Sequence, residues 1–569
     1  MTGRQGGRPP ASIRSAFEQK SVDGRMCMIC PSCGRAISDR PKRLSMHYDN
    51  CPALKRSRTS NDGTDTESDD VSIASDQQSL PGPSGSTSRS RPRQQHITNW
   101  TFRTSDRLKE ELDLKVAKFF YSKNISFNTS ESAHFKDLVS SLRPGYDPPN
   151  RKAIAGRLLD QTYDKMKAEM REALAKTSEV TLVQDGWSDV SNSPVIAHTI
   201  HAPGGGTFFL NSKWVEDMPK TAENCALLAE EAIEEARSQY GVKVTGLVTD
   251  NAKNMQNMRR IINQRHPEIA VWGCASHLLN LVGSAVTPSD IMKYVVAVHK
   301  WYRNHHNAGA WLAQKEGTVR PQLPAETRWN SQVDTLKSFI RNRQAYVAIS
   351  AEHEPEMDET VTQRVNSLGL YRSIQDLVCQ LEPIAEGVDR LQSDSATLAD
   401  TVAVFQDLLD NQALAPHHAT LERRKSQAVT SLHLAAYLVH PRYMGQNLTT
   451  EEFDEAMAQF KEDLHPQITK FHGQLPPFPS SFFSAGMKQL PPTEWWCGAA
   501  QRPGVSKELG DAAMSLLSKP PSSASIERTF SSFGLVQTKL RNRLGHATAE
   551  KLVFCYRMLQ GTAAEDDDE

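Results

Sequence analysis

Between Val180 and Cys274 the spacing of apolar residues leaves the helical period, becomes that of strands, and then alternates between the two. Three short apolar runs come first: Val180 to Gln184 (VTLVQ), Pro194 to Ala202 (PVIAHTIHA) and Thr207 to Val215 (TFFLNSKWV). Gly and Pro punctuate them, which predicts three strands joined as antiparallel neighbours. A helix is expected from about Thr221 to Tyr240, with Leu227, Leu228, Ala232 and Ala236 on one face. A strand from Val244 to Thr249, a helix around Asn254 to Gln264 and a strand from Ala270 to Cys274 follow. A chain with this order must build a mixed sheet with helices laid on it.

On either side the pattern is helical. Leu108, Leu112, Val116 and Phe119/Phe120 recur at helical spacing, and a second helical pattern runs from about Arg151 to Leu174. From about Ser276 to Leu475 helical periodicity dominates, as in Ile374, Leu377, Leu381, Ile384 and Val388, then Leu398, Val402, Phe405 and Leu408. After a Pro-rich stretch, Pro476 to Pro492, a last helical region runs to about Leu559. At 569 residues the chain exceeds one hydrophobic core. The expected class is multidomain α/β plus α, and the order of its central elements is that of an RNase H-like core.

The segment from about Ser57 to Gln95 is rich in Ser, Thr, Asp, Pro and Gly and lacks aromatics, so it reads as a disordered linker. No apolar run approaches the ~20 residues that span a bilayer, so no membrane partner is expected. Met1 to Lys20 is basic and polar, unlike a secretory signal, and an intracellular protein is expected. The formal net charge of −1 conceals an uneven distribution. Basic residues crowd the first hundred positions and recur at Lys539, Arg541 and Arg543, whereas Glu565 to Glu569 is acidic. Net charge therefore neither supports nor excludes a DNA partner.

Four of the nine cysteines lie in the first tenth of the chain: Cys27, Cys30, Cys33 and Cys51. In a reducing compartment such a cluster favours metal over disulfides. Cys30-x2-Cys33 followed by His47-x3-Cys51 supplies a Cys pair on a turn and a His/Cys pair one helical turn apart, which can converge on one tetrahedral Zn²⁺. Cys27 forms a competing CxxC with Cys30. Arg35, Arg40, Lys42 and Arg43 lie between the pairs, where they could face phosphates. The segment resembles a BED-type zinc finger, with Phe17 the one aromatic near its first cysteine.

Asp185-Gly186-Trp187-Ser188 ends the first expected strand, and Asp250-Asn251 follows the strand Val244 to Thr249. Singly, each Asp reads as a turn residue. Two carboxylates at the ends of adjacent strands, however, suit Mg²⁺, which needs a further acid to complete its cage.

VQDGWS, VTDNAKNM, Cys274-Ala275-Ser276-His277-Leu278-Leu279-Asn280-Leu281, Thr327-Arg328-Trp329-Asn330-Ser331 and Ser523-Ala524-Ser525-Ile526-Glu527-Arg528-Thr529-Phe530-Ser531 occur in this order. Together they resemble the hAT superfamily of transposases, in the branch whose middle region is called DUF659. The likeness runs from about Leu108 to the last helix, and the final block is similar to the hAT dimerisation region.

The resemblance implies that Asp185, Asp250 and Glu527 are the catalytic acids for Mg²⁺ or Mn²⁺, with Glu527 separated from the others by a long helical insertion. Cys274 and His277 match the family's CxxH, either as a buried Cys beside a capping His or with a direct role. Arg328 and Trp329 match its RW motif, which holds a base during hairpin formation; a lone Trp otherwise reads as core. Lys539, Arg541 and Arg543 follow the Glu527 block and either bind phosphates or solvate a helix face.

The expected layout is a basic arm (1–25), a zinc finger (26–56), a linker (57–98) and a helical DNA-binding region (99–178). The first part of the RNase H-like core (179–288), an all-α insertion (289–484), a dimerisation region completing the core (485–560) and an acidic tail (561–569) follow. The implied function is a zinc-finger-guided, two-metal DNA transposase acting on double-stranded DNA as a self-associated assembly. Lys55-Arg56-Ser57-Arg58 reads as a nuclear targeting run. A domesticated, non-catalytic regulator and a protein-interaction scaffold are the other readings of the same chain.

Overall fold

The computed structural model describes residues 17–22, 25–31, 33–34, 36–38, 47 and 51 of the first hundred. It also describes residues 104–566 apart from 178, 190, 205, 326–328 and 539–543. The expected linker, Arg328, Lys539, Arg541, Arg543 and the basic residues between the finger's ligand pairs lie outside the described residues. The chain divides into two compact units, Met1–Gln95 and His96–Glu569.

In the first unit, β1 (Glu18–Val22), β2 (Arg25–Ile29) and β3 (Ala36–Ser38) form a small antiparallel sheet in that order. Gly34, at φ +70°, lets the chain turn so that its N–H donates to the Cys30 carbonyl at 2.8 Å.

The second unit is mostly helical around a five-stranded sheet of order β6-β5-β4-β7-β8. Its strands are β4 (Glu179–Ser188), β5 (Pro194–His201), β6 (Thr207–Trp214), β7 (Lys243–Thr249) and β8 (Ala270–Gly273). β4, β5 and β6 pair antiparallel, while β4, β7 and β8 pair in parallel. β4 is thus central, and Val180 to Gln184 are buried, as a strand covered on both faces must be.

One face of the sheet carries the Ala222–Tyr240 helix. Thr221 caps it by accepting the Asn224 N–H, and left-handed Gly241 ends it. Gln184 Nε2 donates to the Cys225 carbonyl at 3.2 Å and ties that helix to β4. The opposite face holds Thr181, Val183 and Asp185 of β4, because strand side chains alternate. It is covered by the Ala524–Val536 helix, whose Ser525 Oγ lies 3.4 Å from Thr199 Oγ1 of β5.

Three expectations need correction. β4 does not end at Gln184 but continues to Ser188, because β5 keeps pairing with it as far as Ser188↔Pro194. The Arg151 to Leu174 helix is broken at Gly156 into Arg151–Ala155 and Arg157–Leu174. In the Asp106–Ser122 helix the buried stripe is Asp113, Ala117, Phe120 and Tyr121, and Phe119 is exposed. Buried Asp113 is satisfied by the Tyr146 hydroxyl, which donates at 2.8 Å.

The helical region between the sheet and the C-terminal segment has its own apolar core, running from Ala275 to Ala428. Helices from Ser431 onward pack instead into the core that includes the sheet, around Trp495, Trp496 and Phe471.

Gly246 of β7 is where Trp272 of β8 lies flat: a Cβ there would meet the indole at 2.6 Å. The same indole donates from Nε1 to the Pro520 carbonyl at 3.0 Å, just ahead of the Ala524–Val536 helix. Gly246→Ala is therefore expected to cost about 1–3 kcal/mol through overpacking, read as a lower urea midpoint with unchanged slope.

Candidate functional site

β4 and β7 run in parallel register as far as Gln184↔Thr249, and the next pair along that register is Asp185 and Asp250. Adjacent strands lie about 4.8 Å apart, so the two carboxylates leave one edge of the sheet side by side. Asp185 and Trp187 share a face of β4, two residues apart. The Trp187 ring packs on Phe530 at 4.3 Å and Phe533 at 4.8 Å between centroids. Glu527 stands one helical turn before Phe530 on the same side of its helix, so this aromatic contact brings it to the edge that holds the two aspartates.

The electrostatics agree with that placement. The Asp185 carboxyl is raised out of the usual carboxylate range to about 7. Burial is the largest cause, the charge of Asp250 the next, and the charge of Glu527 adds to both. The Gly186 N–H, donating to Oδ1 at 2.7 Å, and the Lys220 ammonium act in the other direction. Asp250 Oδ1 accepts the Ala252 N–H at 2.9 Å. Arg259 donates to the Asp250 carbonyl at 2.5 Å and to Thr249 Oγ1 at 2.6 Å, fixing the backbone that carries the second acid. Lys220, Arg259 and Arg528 were not singled out from sequence, since an isolated cation has no spacing signal.

Cys274 is buried, and burial pushes its thiol up. Its sulfur accepts the Ser523 N–H at 3.3 Å and lies 3.1 Å from Ser276 Oγ, while the Ala275 N–H donates to the Pro521 carbonyl at 3.0 Å. This contact seats the segment leading into the Glu527 helix. His277 is half-buried in the Ala275–Val286 helix, and with Cys274 it belongs to no group of three or more ligand atoms among the described residues. Trp329 is 9% exposed and packs on Gly283, where a Cβ would meet its ring at 2.1 Å. Its Nε1 is buried with no hydrogen-bond partner among the described residues. The indole face is thus occupied by the protein core in this conformation.

In the first unit, ligand atoms of Cys30, Cys33, His47 and Cys51 all lie within 4.8 Å of one another. Cys33 Sγ is 3.4 Å from His47 Nε2, close to the edge of a tetrahedron with Zn–S and Zn–N bonds of roughly 2.0–2.3 Å. Cys30 and Cys51 are buried, and the Phe17 ring lies 5.9 Å from that of His47. The donor set fits a structural zinc, with all four positions filled by protein. Cys27 has its backbone in β2, paired with Lys20 and Ser38. The carboxylates of Asp185, Asp250 and Glu527 are not drawn into so tight a group.

Purified chain is expected to carry about one zinc per molecule, measured by atomic absorption, and Cys51→Ser to carry none. For Asp185, the folded state holds a proton that the unfolded chain releases near its ordinary value of 3.8. Stability without divalent ions should therefore fall as pH rises from about 4 to about 7. Asp185→Asn should remove that part of the slope in urea titrations.

A family model described as a domain of unknown function, DUF659, matches residues 149–300. The model described as the hAT family C-terminal dimerisation region matches residues 469–559. Neither reaches the cysteine cluster, and no curated protein matches the chain. The first match holds Asp185 and Asp250, and the second holds Glu527 and supports self-association. Both regions, in one chain and in this order, support an hAT-family transposase.

Proposed function

We propose that this is a DNA transposase in which Asp185, Asp250 and Glu527 hold two Mg²⁺ or Mn²⁺ ions for strand cleavage and transfer at transposon ends. One observation carries the reading. The β4–β7 register sets Asp185 beside Asp250, and the packing of Trp187 on Phe530 brings Glu527, from a distant segment of the chain, toward the same edge. Three acids brought toward the carboxyl edge of a sheet suit a hard cation. The order β6-β5-β4-β7-β8, with three antiparallel strands followed by parallel ones, supports an RNase H-like core.

Held by these acids, a divalent pair would supply activation of the nucleophile, water and then a DNA 3′-hydroxyl, and stabilisation of the leaving oxygen. The protein's own part is positional. The Gly186 N–H orients one oxygen of Asp185, the Ala252 N–H orients one of Asp250, and Arg259 stiffens the turn between Thr249 and Asn251. The zinc cluster, as a BED-type finger, and the helical region before the sheet would locate double-stranded DNA. The nucleus is the proposed location, in keeping with a DNA substrate and the Lys55–Arg58 run.

A second reading, a non-catalytic DNA-binding regulator descended from such an enzyme, is favoured by the burial of Trp329 against Gly283. The two separate cleanly. With Mn²⁺ and duplexes bearing its own element's ends, the wild type should nick and join. Asp185→Asn, Asp250→Asn and Glu527→Gln should each lower the rate at least about 1000-fold, as loss of one member of an interdependent set does, with DNA binding retained. Binding without nicking or joining by the wild type would establish the regulator instead.

A further inference from the structure

The helix that carries Glu527 is gripped at both ends of its first turn by a single stretch of the helical region. That stretch is the end of the Leu368–Gln392 helix and the turn after it. Ahead of Glu527, Ser522 Oγ donates to the Leu391 carbonyl at 2.8 Å. Behind it, Arg528 donates from Nη1 to the Gln392 carbonyl at 3.3 Å and from Nη2 to the Asp394 carboxylate. Upstream, the Leu398 N–H donates to the Lys519 carbonyl at 3.1 Å. Arg557 of the last helix also lies within the field of this pair, with its guanidinium disfavoured by burial and by Arg528 and favoured by Asp394.

We propose that Asp394 and Arg528 form a latch through which the helical region sets the position of Glu527, which makes both of them positioning residues. The inference rests on the reading of Glu527 as the third metal-binding acid. A magnitude separates it from a merely structural role. Arg528 and Asp394 are 40% and 65% exposed in their side chains, and ion pairs so open to solvent contribute little to global stability. Misplacing a reacting group by an ångström, by contrast, costs about 100-fold in rate. The latch should therefore show in turnover and local order while leaving the fold intact.

The experiment compares full-length wild type, Asp394→Ala, Arg528→Ala and charge-preserving Asp394→Glu. Both alanine variants should lose about 10- to 100-fold in kcat for Mn²⁺-dependent cleavage. The KM for DNA should stay within about twofold and the melting temperature within about 2 °C, with Asp394→Glu close to wild type. Independently of activity, hydrogen exchange in Asp394→Ala should quicken over residues 524–531 and not in the sheet. Cleavage at the wild-type rate by Asp394→Ala, or unaltered exchange over those residues, overturns the latch. If the wild type itself fails to cleave, the transposase reading falls, and the exchange result alone decides whether the latch exists.

Discussion

Phe533 is the point at which the C-terminal region of the second unit meets its sheet. Its ring lies 4.8 Å from Trp187 of β4, 5.9 Å from Phe209 of β6 and 6.1 Å from Trp214, so one side chain from the C-terminal region closes a face of the sheet laid down far earlier in the chain. Aromatic pairs at these separations add to the apolar area they bury. Because Phe530 and Phe533 fix the rotation of their helix, they also fix which residue points at the strand ends, and that residue is Glu527. The approach of Glu527 toward Asp185 is a by-product of core packing.

Two further sets of contacts refine that docking from opposite sides. Trp272, Cys274 and Ala275 hold residues 520 to 523 through one hydrogen bond each, all buried at the end of β8. Across the helix, Leu391, Gln392 and Asp394 hold Ser522 and Arg528. The buried set secures the entry of the helix, since a broken hydrogen bond there would strand polar atoms away from water. Of the second set, the Ser522–Leu391 hydrogen bond is buried too, and the solvent-exposed Arg528–Asp394 pair is the part that can yield without unfolding anything. Cys274, a motif residue, thus serves the structure, because its sulfur receives a backbone N–H of the segment that delivers Glu527.

Much of the sheet was legible because a change of hydrophobic period is a local signal. Val244 to Thr249 and Thr207 to Val215 differ from the observed strands by a single residue. The extension of β4 through Asp185-Gly186-Trp187-Ser188 was not legible, since Asp and Gly read as a turn unless β5 is known to run alongside. Phe119 and Phe120 could not be told apart by spacing, and only packing against Phe135 settles on Phe120. The cysteine ligands were readable from their intervals, whereas the β1–β3 sheet under them had no pattern long enough to notice. Nothing in the residues around Glu527 points to Asp185. That pairing came from resemblance, and its physical cause, Trp187 against Phe530, is a contact between segments that share no local pattern. Arg528 was missed for the same reason, and Arg259 because an isolated cation has no spacing signal.

The separation of Asp250 from Glu527 along the chain also has a consequence in time. A ribosome adding roughly 5–20 residues per second finishes the Ala524–Val536 helix tens of seconds after the strands it must cover. Until then Trp187 and Phe209 lack their partner, and a nascent sheet waits with an apolar face uncovered. Such a face calls for chaperone cover during synthesis. By the same order of events, a growing chain can complete its cysteine cluster long before it can assemble the third acid with the other two.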